Sequence, residues 1–264
     1  MRFFTTLALG ALAAATVGSA AEAQPGTLWA AGVTADAGWY DFNKVRTGEE
    51  SELCWAITAA NLIAWWQQQR TAEELPQGVP TQQAVWEVFR ASFTNSGSDP
   101  DQGVRWWFTG GYEPCSPDAA LQFAAVTNTA TGSYYKQKYE DKTLVETLFY
   151  RGRGGAVTAQ SVTKAFYEGF RAGDAFWIGV SYNRPDGTPA THSLTVWGVE
   201  AELQADGTPC IKALYMTDSD DRSTKLHRVR LKEVDGMIDF DCPEHPLYGR
   251  IGKITITTYT GMRR

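Results

Sequence analysis

Residues 51–69, SELCWAITAANLIAWWQQQ, run for nineteen positions without a glycine or proline and offer Ser51 as a candidate N-cap. The stretch therefore reads as a helix. Its Leu, Ile, Ala and Trp residues cover most of the circumference, so the helix is expected inside the domain rather than on its surface. Residues 81–93 carry Val85, Val88, Phe89 and Phe93 at helical spacing, after a break at Pro76–Pro80. A further helix is predicted over Ser161–Arg171, with Val162, Phe166 and Phe170 on one face and Gly173 as its stop. Thr94–Gln102 reads as a mobile surface loop by composition.

Beyond Gly173 the period changes. Residues 175–182, 191–199, 211–217, 226–231 and 251–259 are β-branched or aromatic runs, and Asp186-Gly187 and Asp206-Gly207 are hairpin signals. Helices first and an antiparallel sheet afterwards predict an α+β domain, with the buried N-terminal helix packed on the C-terminal sheet.

The start of the chain has a short basic head, an uncharged Ala- and Leu-rich run over residues 3–18 and the A-x-A pattern Ala21-Glu22-Ala23. This is the pattern of a secretory signal peptide over residues 1–23, leaving 24–264 as one domain and a secreted or periplasmic protein. No later stretch is long and apolar enough to suggest membrane insertion. The net charge of −6 and the lack of a Lys/Arg cluster argue against nucleic acid as a partner. Four cysteines, at 54, 115, 210 and 242, include no C-x-x-C pair, so a zinc knuckle is not expected. At most one bridge is expected, with Cys210–Cys242 the favoured pair. Trp106, Trp107, Tyr134 and Tyr135 can line a cleft or fill the core, the commoner fate of such residues.

Cys54 falls in the first turn of the buried helix, where unsatisfied amides and the helix dipole stabilise a thiolate. The commoner fate of such a cysteine is structural, and Glu49, Glu50 and Glu52 would oppose ionisation unless a cation is near. A cysteine nucleophile needs a base. Of the three histidines, His245 lies in a proline-flanked loop and His227 shares a strand face with Val229 and Leu231. His192 opens a central-looking strand and is the favoured base. Pairing of neighbouring strands would bring Asp218, from Tyr215-Met-Thr-Asp-Ser-Asp220, beside His192. The Ser161-x-x-Lys164 pattern lacks companion motifs, and Ser161 is better explained as a helix N-cap.

Gly38-Trp-Tyr-Asp-Phe-Asn-Lys44, with Lys44 ten positions before Cys54, followed by the helix Thr58–Trp66, resembles the IdeS/Mac family of immunoglobulin-degrading bacterial cysteine endopeptidases. The likeness continues through Gly110-Gly-Tyr112, Glu168–Gly173, His192 with Leu194, Trp197 and Gly198, and Tyr215–Asp220. The resemblance implies a papain-like fold and a Cys54–His192–Asp218 triad. It also implies Asp220 in support of the histidine, Lys44 at the oxyanion, a protein substrate such as immunoglobulin, and no metal or organic cofactor. Two alternatives stay open: a transglutaminase or amidase on the same three residues, or a secreted binding protein without turnover.

Overall fold

The computed structural model describes residues 26–45, 47–110, 132–136, 148–153, 157–243, 248 and 251–264. Residues 1–23, expected to be a signal peptide, and Gly111-Tyr112, Cys115 and His245 lie outside the described residues.

Eight strands and four helices are present among them. The helices are α1 (Cys54–Gln68), α2 (Gln83–Ser92), α3 (Pro100–Thr109) and α4 (Ala159–Ala172). The strands are β1 (Gly26–Trp29), β2 (Phe149–Arg153), β3 (Ala175–Asn183), β4 (Pro189–Leu203), β5 (Pro209–Thr217), β6 (His227–Val234), β7 (Met237–Phe240) and β8 (Ile254–Met262). All pairings are antiparallel. They run β4-β3-β8-β7-β6-β5 and return from β5 to β4, so six strands close on themselves. The seam is narrow, with Asp239 opposite Thr255 as the one β7–β8 pair. β1 extends β4, and β2 lies along β8.

This closure corrects the expected fold. The protein is a closed six-stranded antiparallel barrel with short helices, not an α+β papain-like domain with a helix laid on an open sheet. The physical cause lies in β4, which runs for 15 residues and breaks register with β5 at Val196/Gly198 and again at Glu200/Ala201. A third irregularity falls between Gly179 and Val180 where β3 meets β8. Bulges of this kind sharpen twist and bend a sheet towards closure.

Both hairpin turns lie where the Asp-Gly pairs predict, with Gly187 and Gly207 at positive φ. α1 is buried along nearly its whole length and packs on β4, β3, α2 and α3. Ser51 does not cap it; the helix begins at Cys54 with Leu53 as an N-cap that makes no side-chain bond. α3 starts inside the segment read as a loop, with Asp99 accepting the Asp101 N–H and Pro100 at the first position. At α4 the N-cap is Thr158, and Ser161 is the reciprocal partner of a capping box. Trp106, Trp107 and Tyr135 are core residues, and Tyr134 packs against that core half-buried.

The expected Cys210–Cys242 bridge is absent, since Cys210 is a free thiol. β6 runs between β5 and β7, which separates the two cysteines by roughly 10 Å across the strands alone. Disulfide geometry tolerates Cα separations of no more than about 7 Å.

Candidate active site

Cys54 occupies the first position of α1, and α1 packs on the strand that carries His192. His192 lies near the start of β4, opposite Val180 of β3, and is 8% exposed. Asp218 follows the last residue of β5, a strand paired with β4 through Thr195↔Thr217. That register sets the Asp218 carboxylate against the imidazole, with Nε2 2.8 Å from Oδ1. Nε2 being engaged by Asp218, Nδ1 is the ring nitrogen left to face the Cys54 thiol, whose pKa the imidazole lowers.

The electrostatics follow from this chain of contacts. Burial pushes the Cys54 thiol up, but the hydrogen bond and charge of His192, the Ser193 amide and the Lys44 ammonium outweigh it and leave the thiol below its ordinary value. Burial pushes His192 down, yet the Asp218 charge and hydrogen bond, with the Cys54 sulfur, hold the imidazole well above the usual histidine range. Asp218 is raised by burial and lowered further by His192, Tyr248 and the Asp220 amide, ending well below the carboxylate range. Both shifts work towards proton transfer from the thiol to the imidazole, with an ionised carboxylate behind the ring.

Lys44 and Asp220 reach the same place. The Lys44 ammonium lies 2.5 Å from Asp220 Oδ1 and donates to the Ser51 carbonyl at 2.8 Å, with Lys44 only 6% exposed. Asp220 Oδ2 is 4.0 Å from His192 Nε2, and the Asp220 N–H donates to Asp218 Oδ1 at 2.9 Å. The ligand atoms of His192, Asp218 and Asp220 lie within 4.8 Å of one another, and the Lys44 ammonium already supplies a cation to that cluster.

A family model described as Mac 1 matches residues 24–88 and 81–241 of this sequence. The chain belongs to the Mac 1 family. A relative is the "IgM protease" of Streptococcus suis (strain P1/7), 24% identical over 228 residues that cover 74% of this chain and 18% of the relative. This Mac 1 chain thus spans less than a fifth of the length of that curated relative.

Around the five predicted residues, this Mac 1 protein holds others that sequence reading passed over. Tyr248, 6% exposed, donates its hydroxyl to Asp218 Oδ2, and burial with the adjacent Asp218 charge raises the phenol well above its usual value. Asn61, a polar residue within the apolar run of α1, accepts the Phe42 N–H and donates to Thr195 Oγ1, both at 3.1 Å. His227, weighed above as a base and set aside, starts β6 and is a buried histidine paired with Asp221 of the β5–β6 connection. Asp41 is a buried carboxyl that accepts the Lys225 N–H at 2.8 Å. Burial, the main cause, and the charges of Asp221 and Asp218 push it up to about 8 despite that hydrogen bond.

Proposed function

We propose that this chain is an exported cysteine endopeptidase, with residues 1–23 directing export and 24–264 acting as the peptidase domain. The observation that carries this reading is the imidazole of His192, held by the Asp218 carboxylate at 2.8 Å and close enough to the Cys54 thiol to lower its pKa. Three buried or half-buried groups from α1, β4 and the end of β5 meet in the order nucleophile, base and orienting acid. No helix among the described residues is long and apolar enough to cross a membrane. Membership of the Mac 1 family and the likeness to an IgM protease favour peptide-bond hydrolysis, with immunoglobulin as the substrate to try first.

In the proposed reaction His192 Nδ1 takes the Cys54 proton and the sulfur attacks a peptide carbonyl carbon, forming a C–S bond. The oxyanion is held by the Cys54 backbone N–H, at the first position of its helix, and by the Lys44 ammonium. The imidazolium then gives its proton to the departing amine as the C–N bond breaks. Water, deprotonated by His192, hydrolyses the thioester and restores the thiol–imidazole pair. Asp218 keeps Nε2–H engaged, so that Nδ1 faces the sulfur throughout. Asp220 holds Lys44 and packs beside the ring.

Alkylation with iodoacetamide at graded pH, with the labelled cysteine mapped by mass spectrometry, tests the chemistry. Cys54 should react well below the ordinary thiol range, and His192→Ala should abolish that reactivity. Incubation with IgM, IgG and IgA, with new N-termini read by mass spectrometry, tests the substrate. An unreactive Cys54 overturns the reading. Transfer of the acyl group to a labelled amine in place of water would assign the site to an acyltransferase instead.

A further inference from the structure

Lys44 belongs to no helix or strand, and yet its ammonium is held within 2.5 Å of Asp220. Something other than regular secondary structure must fix it. The backbone gives one anchor, the Lys44 N–H to the Ser219 carbonyl at 3.2 Å. The rest comes from two adjacent residues ahead of α1 that grip two adjacent residues of the lysine segment. Ser51 offers its carbonyl to the Lys44 ammonium at 2.8 Å, and Glu50 Oε2 accepts the Val45 N–H at 2.8 Å. Glu50 is 8% exposed, and a carboxylate so deep is costly unless both oxygens are engaged. Its second oxygen is engaged by Arg90 Nε of α2 at 2.6 Å. The Glu50 carbonyl also accepts the Leu53 N–H at 3.0 Å, which ties the grip to the turn leading into Cys54.

We propose that Glu50, braced by Arg90, is a positioning residue that sets the Lys44 ammonium beside Cys54; this rests on the peptidase reading of the same site. A carboxylate close to a thiolate works against it through space, so Glu50 contributes through its hold on Val45 and Lys44, not through its charge. The two effects have opposite signs. Loss of a nearby negative charge would ease Cys54 ionisation, whereas release of Lys44 would hinder it.

The pH profile of Cys54 alkylation reads that sign. Glu50→Ala should move the profile to higher pH, in the direction of Lys44→Met and by no less than half as much. In a Lys44→Met background it should cause no further upward movement. Glu50→Gln, which keeps an oxygen for the Val45 N–H, should lie nearer the parent. Should Glu50→Ala lose its cooperative melt, Arg90→Ala at the half-exposed end of the brace takes its place. Its upward shift should vanish in the Lys44→Met background, whereas simple loss of a distant cation would persist there. A profile that stays put or moves down in Glu50→Ala, while Lys44→Met moves it up, overturns this inference and leaves the peptidase reading standing. A parent Cys54 that titrates as an ordinary thiol overturns both.

Discussion

Asn61→Ala is the substitution whose cost follows most directly from the structure. The side chain is 2% exposed and lies two turns along α1 from Cys54. Its oxygen accepts the N–H of Phe42, two residues before Lys44, and its amide donates to Thr195, three residues after His192. One side chain thus ties the nucleophile's helix to the lysine segment and to the histidine's strand. Alanine leaves the buried Phe42 N–H without that acceptor, a loss of about 1–3 kcal/mol. It also removes a neutral hydrogen bond to Thr195 worth about 1 kcal/mol.

The expected total is about 2–4 kcal/mol of folding stability, and in a domain of this size about 3 kcal/mol lowers Tm by roughly 6–12 °C. Urea unfolding and thermal melts of the purified protein read it. Thr195→Val should cost about 1–2 kcal/mol. The double variant should cost less than the two added, because both remove the same bond. A loss below about 1 kcal/mol for Asn61→Ala, with the denaturant slope unchanged, would refute the reasoning, since it would mean that the Phe42 amide is satisfied without Asn61.

Gly103→Ala should destabilise the protein even though alanine is the better helix former by about 1 kcal/mol. Its Cβ would lie 2.8 Å from Ala59 Cβ and 3.0 Å from Phe89 Cε1, an overpacking that costs about 1–3 kcal/mol and is read by urea unfolding. Activity against any cleaved protein should trace a bell in pH: it rises as Cys54 ionises below the ordinary thiol range and falls as His192 loses its proton above the ordinary histidine range. A rate that climbs steadily to alkaline pH would contradict that. Tyr248→Phe removes a hydroxyl donor to an ionised carboxylate, worth about 1.5–3 kcal/mol, so it should lower Tm and raise the Asp218 pKa measured by carboxyl NMR titration. Asp41 is raised in the folded chain, so the stability it supports is full below the carboxylate range and is lost as pH rises through about 8. Asp41→Asn should flatten that fall, giving a higher Tm than the parent at pH 9 and little difference at pH 5.

The elements were legible where side-chain period alone decides them. The apolar run over 51–69 becomes α1, and the β-branched runs after Gly173 become β3, β4, β5, β6 and β8. Barrel closure was not legible. It depends on the pairing of β3 with β8, some 80 positions apart, and on bulges in β4 that no local pattern marks. α3 was readable but missed: Asp99-Pro100 is a capping residue followed by a proline at the first helical position, and the loop-like composition of 94–99 hid it. At the site, Cys54 and His192 could be nominated because the sequence holds only four cysteines and three histidines, and Asp218 because pairing of neighbouring strands brings it beside His192. Tyr248, Asn61 and Glu50 could not, because a buried hydrogen bond to a backbone amide or a carboxylate leaves no periodic trace.

The sequence raises a difficulty that the structure resolves by burial rather than by charge count. Three glutamates surround the start of α1 against a single lysine, which on formal charge should disfavour a thiolate. Glu49 and Glu52 are exposed, where water and salt screen them within about 10 Å. Glu50 is buried, but both its oxygens are engaged, by the Arg90 guanidinium and the Val45 amide. Lys44 is buried and its charge reaches the Cys54 sulfur through a weaker effective dielectric, which makes one charge act several times more strongly than the same charge in water. The cation's effect is therefore focused and that of the anions dispersed. It also follows that adding or removing exposed acids at 49 or 52 should barely move the Cys54 profile, whereas a shift of Lys44 within the loop should move it plainly.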